Sequence, residues 1–297
     1  AIYSNFMRIF RLRKIILESG APVVMGFIAP TNILLVISTL FLDVKIILSE
    51  RNDPSRQSFG FYWDTLRRWL YRKADLVTAN SSIAIKTLVQ WVPNTRLALV
   101  MNPLVKPAMI KPIQFNGPTV LAVGRLHPQK AYDVLLDAML LFLSDYPNWK
   151  LVVLGEGVEH QKLEEQARCL GISGNVQLRG PVDDPWPYYE GADVFVMPSR
   201  HEGTPNALIE AMSCGLPVVI SEACSQAMGC VEPEKSCLLV AIESHSELAL
   251  ALNRLAENPD LRNMLGDNAK SVVEKFEMSR VRKAWESHLG LIEISHD

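Results

Sequence analysis

Two carboxylates and a helix start occur together in the segment 199–212, which reads SRHEGTPNALIEAM and follows an apolar strand. Thr204 predicts the N-cap of a helix, and Pro205 suits the first helical position because its missing N–H has no intrahelical partner there. The backbone N–H groups of Asn206 and Ala207 would then point out of the helix start without partners. Such a helix start is a binding site for a phosphate group.

Glu202 and Glu210 flank this predicted phosphate site. Glu202 directly precedes the site, whereas Glu210 falls on the second helical turn, roughly 7–9 Å along the axis from the helix start. A bound diphosphate would therefore have one carboxylate on each side. Carboxylates accept hydrogen bonds from sugar hydroxyls, so the arrangement fits a nucleotide sugar. His201, beside Glu202, is interpreted either as a catalytic group or as a packing residue.

A cationic segment lies upstream. The predicted strand 119–124 runs into Arg125, and Lys130 falls in the predicted first turn of a helix that starts at Ala131. A lysine at that position opposes the helix dipole and is mildly destabilising. Its presence is explained if an anion shares the site, because charge-assisted hydrogen bonds to phosphate are strong.

Together these segments resemble the signature of retaining glycosyltransferase family 4, also called glycosyl transferases group 1, whose members have the GT-B fold. The resemblance implies that Arg125 and Lys130 bind the diphosphate of the donor, that Glu210 binds the ribose hydroxyls, and that Glu202 binds a hydroxyl of the donor sugar. Ala131 stands where the family usually has glycine. The implied fold is α/β, with two Rossmann-like doubly wound domains that face each other across a cleft.

The same resemblance implies further donor contacts. Gly155 follows a strand near the donor phosphates, and the backbone around Val182 contacts the base. Gly203, Thr204 and Asn206 complete the donor-binding segment. The leaving diphosphate assists the acceptor on the same face of the sugar, so the catalytic residues implied are those that neutralise or hold the donor, namely Arg125, Lys130 and Glu202.

Glu50 is a further catalytic candidate. It closes a predicted strand in the segment 49–54, SERNDP, and open α/β sheets bind ligands in loops at such strand ends. Many members of the family have a histidine in this region that faces the reacting centre, and Glu50 and Arg51 stand there instead. A salt-bridged loop is the alternative interpretation, and we favour the active site.

The chain predicts α/β structure throughout its 297 residues, of which 48% are apolar. Helical patterns separate most of the apolar runs, as in doubly wound sheets. We expect residues 1–105 to form a partial acceptor-side domain that lacks its first βα units, 106–118 a proline-rich linker, 119–278 the nucleotide-sugar domain, and 279–297 a helix that returns to the first domain. The predicted strands are 23–28, 44–48, 76–79, 97–101, 119–123, 151–154, 176–178, 194–197, 218–220 and 238–240.

Composition indicates which cofactors and which cellular compartment to expect. The five cysteines form no CxxC pair, which indicates reduced thiols in a cytoplasmic protein and no zinc site. Asp183 and Asp184 are interpreted as a helix cap and not as metal ligands, so we expect no metal. The uncharged segment 19–42 contains glycine, proline and asparagine, which favours strand–turn–helix over a membrane span.

Charge is distributed unevenly along the chain. Residues 1–110 carry 14 Lys and Arg against 6 Asp and Glu, whereas the chain as a whole has a net charge of −2. The basic and apolar segments 6–16 and 61–73 are explained either by core packing with solvated charges or by docking on an anionic membrane. The family resemblance implies transfer from a nucleotide-diphosphate sugar, with UDP favoured, to a glycan or a polyprenyl-diphosphate-linked acceptor in bacterial polysaccharide or oligosaccharide synthesis, and we expect no nucleic acid partner. An inactive nucleotide-binding relative and a GT-B sugar epimerase are the alternatives.

Overall fold

The chain forms two compact α/β units. The computed structural model describes residues 2–52, 54–55 and 57–290. The first unit comprises Ala1–Asn102 and Ser279–Asp297, and the second comprises Pro103–Met278. The proline-rich segment after Asn102 is therefore part of the second unit, in which the Leu104 N–H donates to the Phe276 carbonyl.

The described residues contain ten strands, and every strand pairing is parallel. Each of the ten predicted apolar runs overlaps one of these strands, with ends that differ by up to two residues, and the α/β class is confirmed. Their bounds are β1 Val23–Phe27, β2 Lys45–Glu50, β3 Leu76–Ala79, β4 Leu97–Leu99, β5 Thr119–Val123, β6 Lys150–Leu154, β7 Val176–Gly180, β8 Val194–Met197, β9 Val218–Ser221 and β10 Leu238–Val240.

Helices connect most of the strands, and three of them follow the last strand. Short 3-10 turns occur at Pro128–Lys130, Asn94–Arg96, Ser173–Asn175 and Glu274–Phe276. The α-helices are α1 Ile2–Ser19, α2 Ala29–Thr39, α3 Phe61–Tyr71, α4 Ser82–Leu88, α5 Tyr132–Asp145, α6 His160–Cys169, α7 Trp186–Gly191, α8 Asn206–Ser213, α9 Glu222–Met228, α10 His245–Glu257, α11 Pro259–Val273 and α12 Met278–Gly290.

The first unit is built on a four-stranded sheet of order β1-β2-β3-β4. The uncharged segment 19–42 folds as β1, a turn and α2, which confirms the strand–turn–helix prediction. In the part of the chain that the structure describes, no helix is both long and apolar enough to cross a bilayer. Near the other end of the chain, α12 contributes Val281 to the core of this unit, where it packs with Ile47, Ala98 and Val100.

The second unit is built on a six-stranded sheet of order β10-β9-β8-β5-β6-β7. This is the strand order of the dinucleotide-binding α/β fold, in which the direction of winding reverses between the first and the fourth strand of the unit. Here those strands are β5 and β8, which are hydrogen-bonded neighbours. Ligands of open α/β sheets bind beyond the carboxyl ends of the strands at such a switch point. The loops after β5 and β8 are the ones that carry Lys130 and Glu202.

An apolar core holds these strand ends in place. Phe142 of α5 is fully buried; it stacks against Tyr146, with ring centroids 5.2 Å apart, and meets Trp149 edge to face at 5.4 Å. Truncating a buried Phe to Ala in such a core costs ~3–5 kcal/mol. The loops at the switch point therefore project from a rigid sheet.

Candidate active site

The loop after β5 differs from its predicted form. A 3-10 turn over Pro128–Lys130 is followed by Ala131 in the left-handed region, with φ 54°, and α5 begins only at Tyr132. The prediction that Lys130 lies in the first turn of a helix starting at Ala131 was therefore wrong. A left-handed residue separates Lys130 from α5. The lysine therefore does not oppose the dipole of this helix, and the helix dipole gives no reason to expect an anion beside it.

Lys130 has an acidic partner across the switch point. Its Nζ lies 2.7 Å from Oε1 of Glu202, and the two side chains are only 13% and 6% exposed. The buried Tyr132 ring lies beside this pair, and burial together with the Glu202 charge raises the pKa of the Tyr132 hydroxyl. The residues that sequence analysis assigned to the diphosphate and to the donor sugar are thus in direct contact.

Arg125 is available for a ligand. It is exposed directly after β5. In the described ranges its guanidinium has neither a hydrogen-bond nor an ion-pair partner. A free guanidinium presents a fork of donors that matches phosphate oxygens. The strand end therefore offers one paired and one unpaired cation.

Two glycines are required where the loops after β5 and β6 touch. A Cβ on Gly155 would lie 2.1 Å from the Gly124 carbonyl oxygen, and a Cβ on Gly157 would lie 2.2 Å from the Leu126 carbonyl oxygen. Gly124 in turn lies against the Lys130 chain, since a Cβ there would be 2.8 Å from Cε. No larger residue fits at Gly155 or Gly157 without moving backbone. Gly155, a predicted donor contact, is therefore fixed beside the Lys130 turn.

The predicted base-binding segment adjoins the same loop. The Gly155 N–H donates to the Gly180 carbonyl at 2.8 Å, which ties the end of β7 to the loop after β6. Gly180 has φ 79°, a left-handed conformation that favours glycine. Val182 follows at a half-buried position. Asp184 accepts from the Trp186 N–H at 3.0 Å, but Pro185 occupies the cap position of α7 and no side chain caps the helix, so the prediction that Asp183 and Asp184 cap it was wrong in that form.

The start of α8 differs from its predicted form. Pro205 occupies the cap position, with φ −81° and ψ 76°, and no side chain caps the helix. The Asn206 N–H donates to the Thr204 carbonyl at 3.0 Å. Thr204 is therefore not the N-cap, and the Asn206 N–H does not lack a partner, so both predictions were wrong. The reason is a local backbone turn, in which the Thr204 carbonyl accepts the hydrogen bond from Asn206. Gly203, half-buried, links this turn to Glu202.

Glu210 lies on the second turn of α8 and is held by a tyrosine that sequence analysis missed. The hydroxyl of Tyr189, on α7, donates to Oε2 of Glu210 at 2.8 Å. Burial raises the pKa of Glu210, and the hydrogen bond from Tyr189 offsets part of that rise. Because Tyr189 is itself fully buried, it fixes the orientation of the carboxylate. A tyrosine inside an apolar helix gives no sequence signal of such a contact.

Glu50 is not part of an open site. Its side chain is 1% exposed, and Oε1 lies 2.8 Å from Nη2 of Arg67, which is equally buried. Tyr71 donates to the same carboxylate and accepts from Nδ2 of Asn32 at 3.0 Å. Burial raises the pKa of Glu50, and the Arg67 charge counteracts it. We therefore remove Glu50 from the catalytic candidates, since its carboxylate is enclosed in the first unit by its partners.

Two of the basic residues assigned to solvated or membrane-facing surfaces are structural. Arg67 forms the buried pair just described. Arg13 donates to the Ser38 and Leu40 carbonyls at 3.0 and 2.7 Å, at the end of α2. Exposed cations remain on α3 and after it, with aromatic neighbours; Lys73 Nζ lies 4.6 Å from the centre of the Trp69 ring.

Among the residues that the structure describes, no group of three or more His, Cys, Asp or Glu side chains is arranged to hold a metal ion. The loop that carries Glu202 is instead organised by Arg200, which forms ion pairs with Asp133 and Glu243. Sequence analysis gave Arg200 no role, and its place two residues before Glu202 was the only available signal.

The comparison with known families identifies the class of protein. A family model described as glycosyl transferases group 1 matches residues 108–272, and the chain belongs to this family. The matched segment contains the Arg125, Lys130, Glu202 and Glu210 positions. The protein is therefore a glycosyltransferase that uses a nucleotide-sugar donor, as sequence analysis predicted.

Individual relatives agree with this assignment. The chain is 29% identical over 290 residues to a Campylobacter jejuni enzyme named GalNAc-alpha-(1->4)-GalNAc-alpha-(1->3)-diNAcBac-PP-undecaprenol alpha-1,4-N-acetyl-D-galactosaminyltransferase, covering 96% of this chain and 79% of the relative. It is 27% identical over 284 residues to an uncharacterized glycosyltransferase of Haemophilus influenzae, covering 94% and 76%.

Solved structures confirm the GT-B fold. Anabaena Alr3699/HepE in complex with UDP matches with a TM-score of 0.84 at 19% identity, covering 96% of this chain and 82% of that one. The lipopolysaccharide outer core galactosyltransferase WaaB, in its apo form, matches with a TM-score of 0.76 at 19% identity, covering 98% and 81%.

Proposed function

We propose that the protein transfers a sugar, with retention of configuration, from a UDP-sugar to a lipid-linked or glycan acceptor. The observation that carries the donor half of this proposal is the Lys130–Glu202 pair, 2.7 Å apart at the switch point of the second sheet. The pair brings a cation and a carboxylate side by side where this fold binds nucleotides, and we assign the cation to the diphosphate and the carboxylate to a sugar hydroxyl.

Charge neutralisation at the leaving group is the proposed source of catalysis. As the glycosidic bond breaks, negative charge grows on the diphosphate, and cations fixed beside it stabilise the transition state more than the ground state. Lys130 is held by its partner, and Arg125 is exposed at the adjoining strand end. Both cations project from the loop after β5, so they reach one polyanion from the same rigid element.

The remaining donor contacts follow from the buried neighbours of the site. Glu210, oriented by Tyr189, is proposed to accept hydrogen bonds from the ribose hydroxyls. The backbone around Val182 is proposed to contact the base, next to the phosphate-side glycine Gly155. UDP is the favoured nucleotide because UDP occupies the solved neighbour Alr3699/HepE. We propose that no metal takes part, so a chelator leaves turnover unchanged.

A polyprenyl-diphosphate-linked glycan is the proposed acceptor class. The name of the Campylobacter jejuni relative specifies an undecaprenol-linked diphosphate acceptor. Exposed cations on the first unit suit both that diphosphate and an anionic bilayer surface. Aromatic side chains accompany them, since Phe61 is 80% exposed, Tyr62 85% and Trp69 55%. We therefore propose peripheral membrane contact through α3.

The donor proposal is tested by nucleotide binding and turnover. UDP, GDP and ADP are titrated calorimetrically into the wild-type protein, Lys130→Ala and the control Lys150→Ala, which removes a lysine that donates to the Gly174 carbonyl. We expect UDP to bind best and Lys130→Ala to raise the barrier to transfer by ~2–4 kcal/mol. Equal turnover of Lys130→Ala and the control would contradict the diphosphate assignment.

A further inference from the structure

Arg200 uses every donor of its guanidinium at the mouth of the proposed donor site. Nη1 and Nη2 donate to the two carboxylate oxygens of Asp133, at 3.0 and 2.8 Å. Nε and Nη2 donate to the carboxylate of Glu243. The remaining Nη1 proton goes to the Pro128 carbonyl. Five N–H donors in a fixed fork are the full inventory of an arginine, and no other side chain supplies them.

These bonds join three separate segments of the second unit. Asp133 lies in the first turn of α5, Glu243 in the loop between β10 and α10, and Arg200 in the loop after β8. Burial alone would raise the pKa of Asp133, but the hydrogen bonds from Arg200 prevail and lower it. The ionised carboxylate and the guanidinium are therefore matched partners.

Backbone contacts continue the same junction up to the two donor-binding residues. The Arg200 N–H donates to the Gln129 carbonyl at 2.8 Å, and the Gln129 side chain donates to the His201 carbonyl at 2.9 Å. Gln129 immediately precedes Lys130, and His201 immediately precedes Glu202. The Arg200 junction thus sets where these two side chains meet.

Stability alone is a weak explanation for this junction. Arg200 is 26% exposed and its partners are 27% and 50% exposed, and ion pairs at such surfaces contribute typically less than about 1 kcal/mol. The contacts also lie beyond the strand ends, outside the apolar core. What they do constrain is the distance between the loop after β5 and the loop after β8.

We propose that Arg200 is a positioning residue for donor binding: by clamping the Glu202 loop to Pro128 and Asp133, it holds Lys130 in the geometry that accepts a diphosphate. This inference rests on the proposed function. A positioning role predicts that loss of Arg200 weakens binding of the diphosphate half of the nucleotide only, because only that half depends on the junction. General destabilisation of the protein would weaken binding of both halves. The ribose and base contacts proposed for Glu210 and Val182 do not.

The test compares UDP with uridine. Affinities are measured calorimetrically for the wild type, Arg200→Met, Arg200→Lys and the control Arg254→Met, which breaks a similar exposed pair with Glu234 on other elements of the same unit. We expect Arg200→Met to bind UDP about tenfold more weakly, because the charge-assisted hydrogen bond from Lys130 to the diphosphate is weakened, and to bind uridine as the wild type does. Arg200→Lys should recover part of the loss because its ammonium can still pair with one carboxylate, but recovery should be incomplete because it cannot pair with both.

The outcomes separate this inference from the donor proposal. Wild-type UDP affinity in Arg200→Met, or an equal loss for UDP and uridine, overturns the positioning role while leaving the Lys130 result intact. If the wild type does not bind UDP, the donor proposal fails, and the junction is then judged by thermal unfolding of Arg200→Met, Glu202→Gln and the double variant. Non-additive changes in stability support the coupling, and additive changes overturn it.

Discussion

Glu202→Gln should bind UDP more tightly than the wild type while transferring sugar more slowly. In the free protein, Glu202 neutralises Lys130 at 2.7 Å with little exposure to water. A diphosphate that takes a second hydrogen bond from Lys130 must approach this carboxylate. Removing the negative charge therefore removes a repulsion, but it also removes the proposed acceptor for a donor-sugar hydroxyl.

The magnitude follows from the geometry of the pair. A phosphate oxygen at hydrogen-bond distance from Lys130 Nζ places its charge about 5 Å from Glu202. Two unit charges at that separation repel by ~3 kcal/mol at an effective dielectric constant of about 20. Two effects make the gain in binding free energy smaller than this repulsion: the charges are partly screened, and the neutral amide of the variant holds Lys130 by a weaker hydrogen bond. We therefore expect a gain of ~1–2 kcal/mol, or about 5- to 30-fold tighter UDP binding.

The assay is calorimetric titration of UDP at low salt, with Glu234→Gln as the control because it removes one exposed carboxylate that pairs with Arg254. Without ligand, Glu202→Gln should unfold more easily, since Lys130 loses its charged partner at a mostly buried position, and UDP should restore part of the difference. Equal or weaker UDP binding by a folded Glu202→Gln protein would refute the proposed placement of the diphosphate.

Three further predictions concern the other charged groups. Glu210→Gln should weaken UDP binding by ~1–2 kcal/mol. Burial raises the pKa of Glu210, so as the pH is lowered the wild-type affinity for UDP should begin to fall at a higher pH than it would with an exposed glutamate. The variant should lack this pH-dependent loss of affinity. Arg67→Met should lower the free energy of unfolding by ~3–5 kcal/mol, since Glu50 is left buried without its cation, and adding Glu50→Gln should recover part of this. Sedimentation with anionic liposomes at low salt should be lost when three exposed cations are reversed to Glu, namely Arg68, Arg72 and Lys73.

Each of these has a distinct contrary result. An identical pH profile of UDP affinity for the wild type and Glu210→Gln would separate Glu210 from the ribose. A thermal midpoint unchanged by Arg67→Met would show that the buried pair is dispensable. Liposomes that leave the wild type in the supernatant at every salt concentration would favour a soluble acceptor, whereas Arg254→Glu should sediment as the wild type does.

The sheets were predictable because buried parallel strands are short apolar runs bounded by turn residues. All ten runs became strands, and β5 and β8 emerged as neighbours once the sheet order was known. The local starts of α5 and α8 were not predictable in the same way. Ala131 adopts a left-handed conformation that propensity disfavours, and the Thr204 carbonyl is used by a backbone turn that a capping rule ignores.

Buried polar contacts were the features of the site that sequence analysis predicted least well. Arg67 looked like one of several surface cations, yet it pairs with Glu50 inside the first unit, because their two segments meet only in the folded sheet. Arg200 and Tyr189 were missed for the same reason, since their partners lie on other elements. Lys130 and Glu202 were found because a known motif carries them, and the structure adds that they contact each other.

A structure of the protein with UDP bound tests the donor assignment most directly. We predict the diphosphate within hydrogen-bond distance of both the Arg125 guanidinium and Lys130 Nζ, the ribose on Glu210, and the Arg200 junction intact. A diphosphate bound away from the loop after β5, with Lys130 still paired only to Glu202, would contradict the proposed donor site.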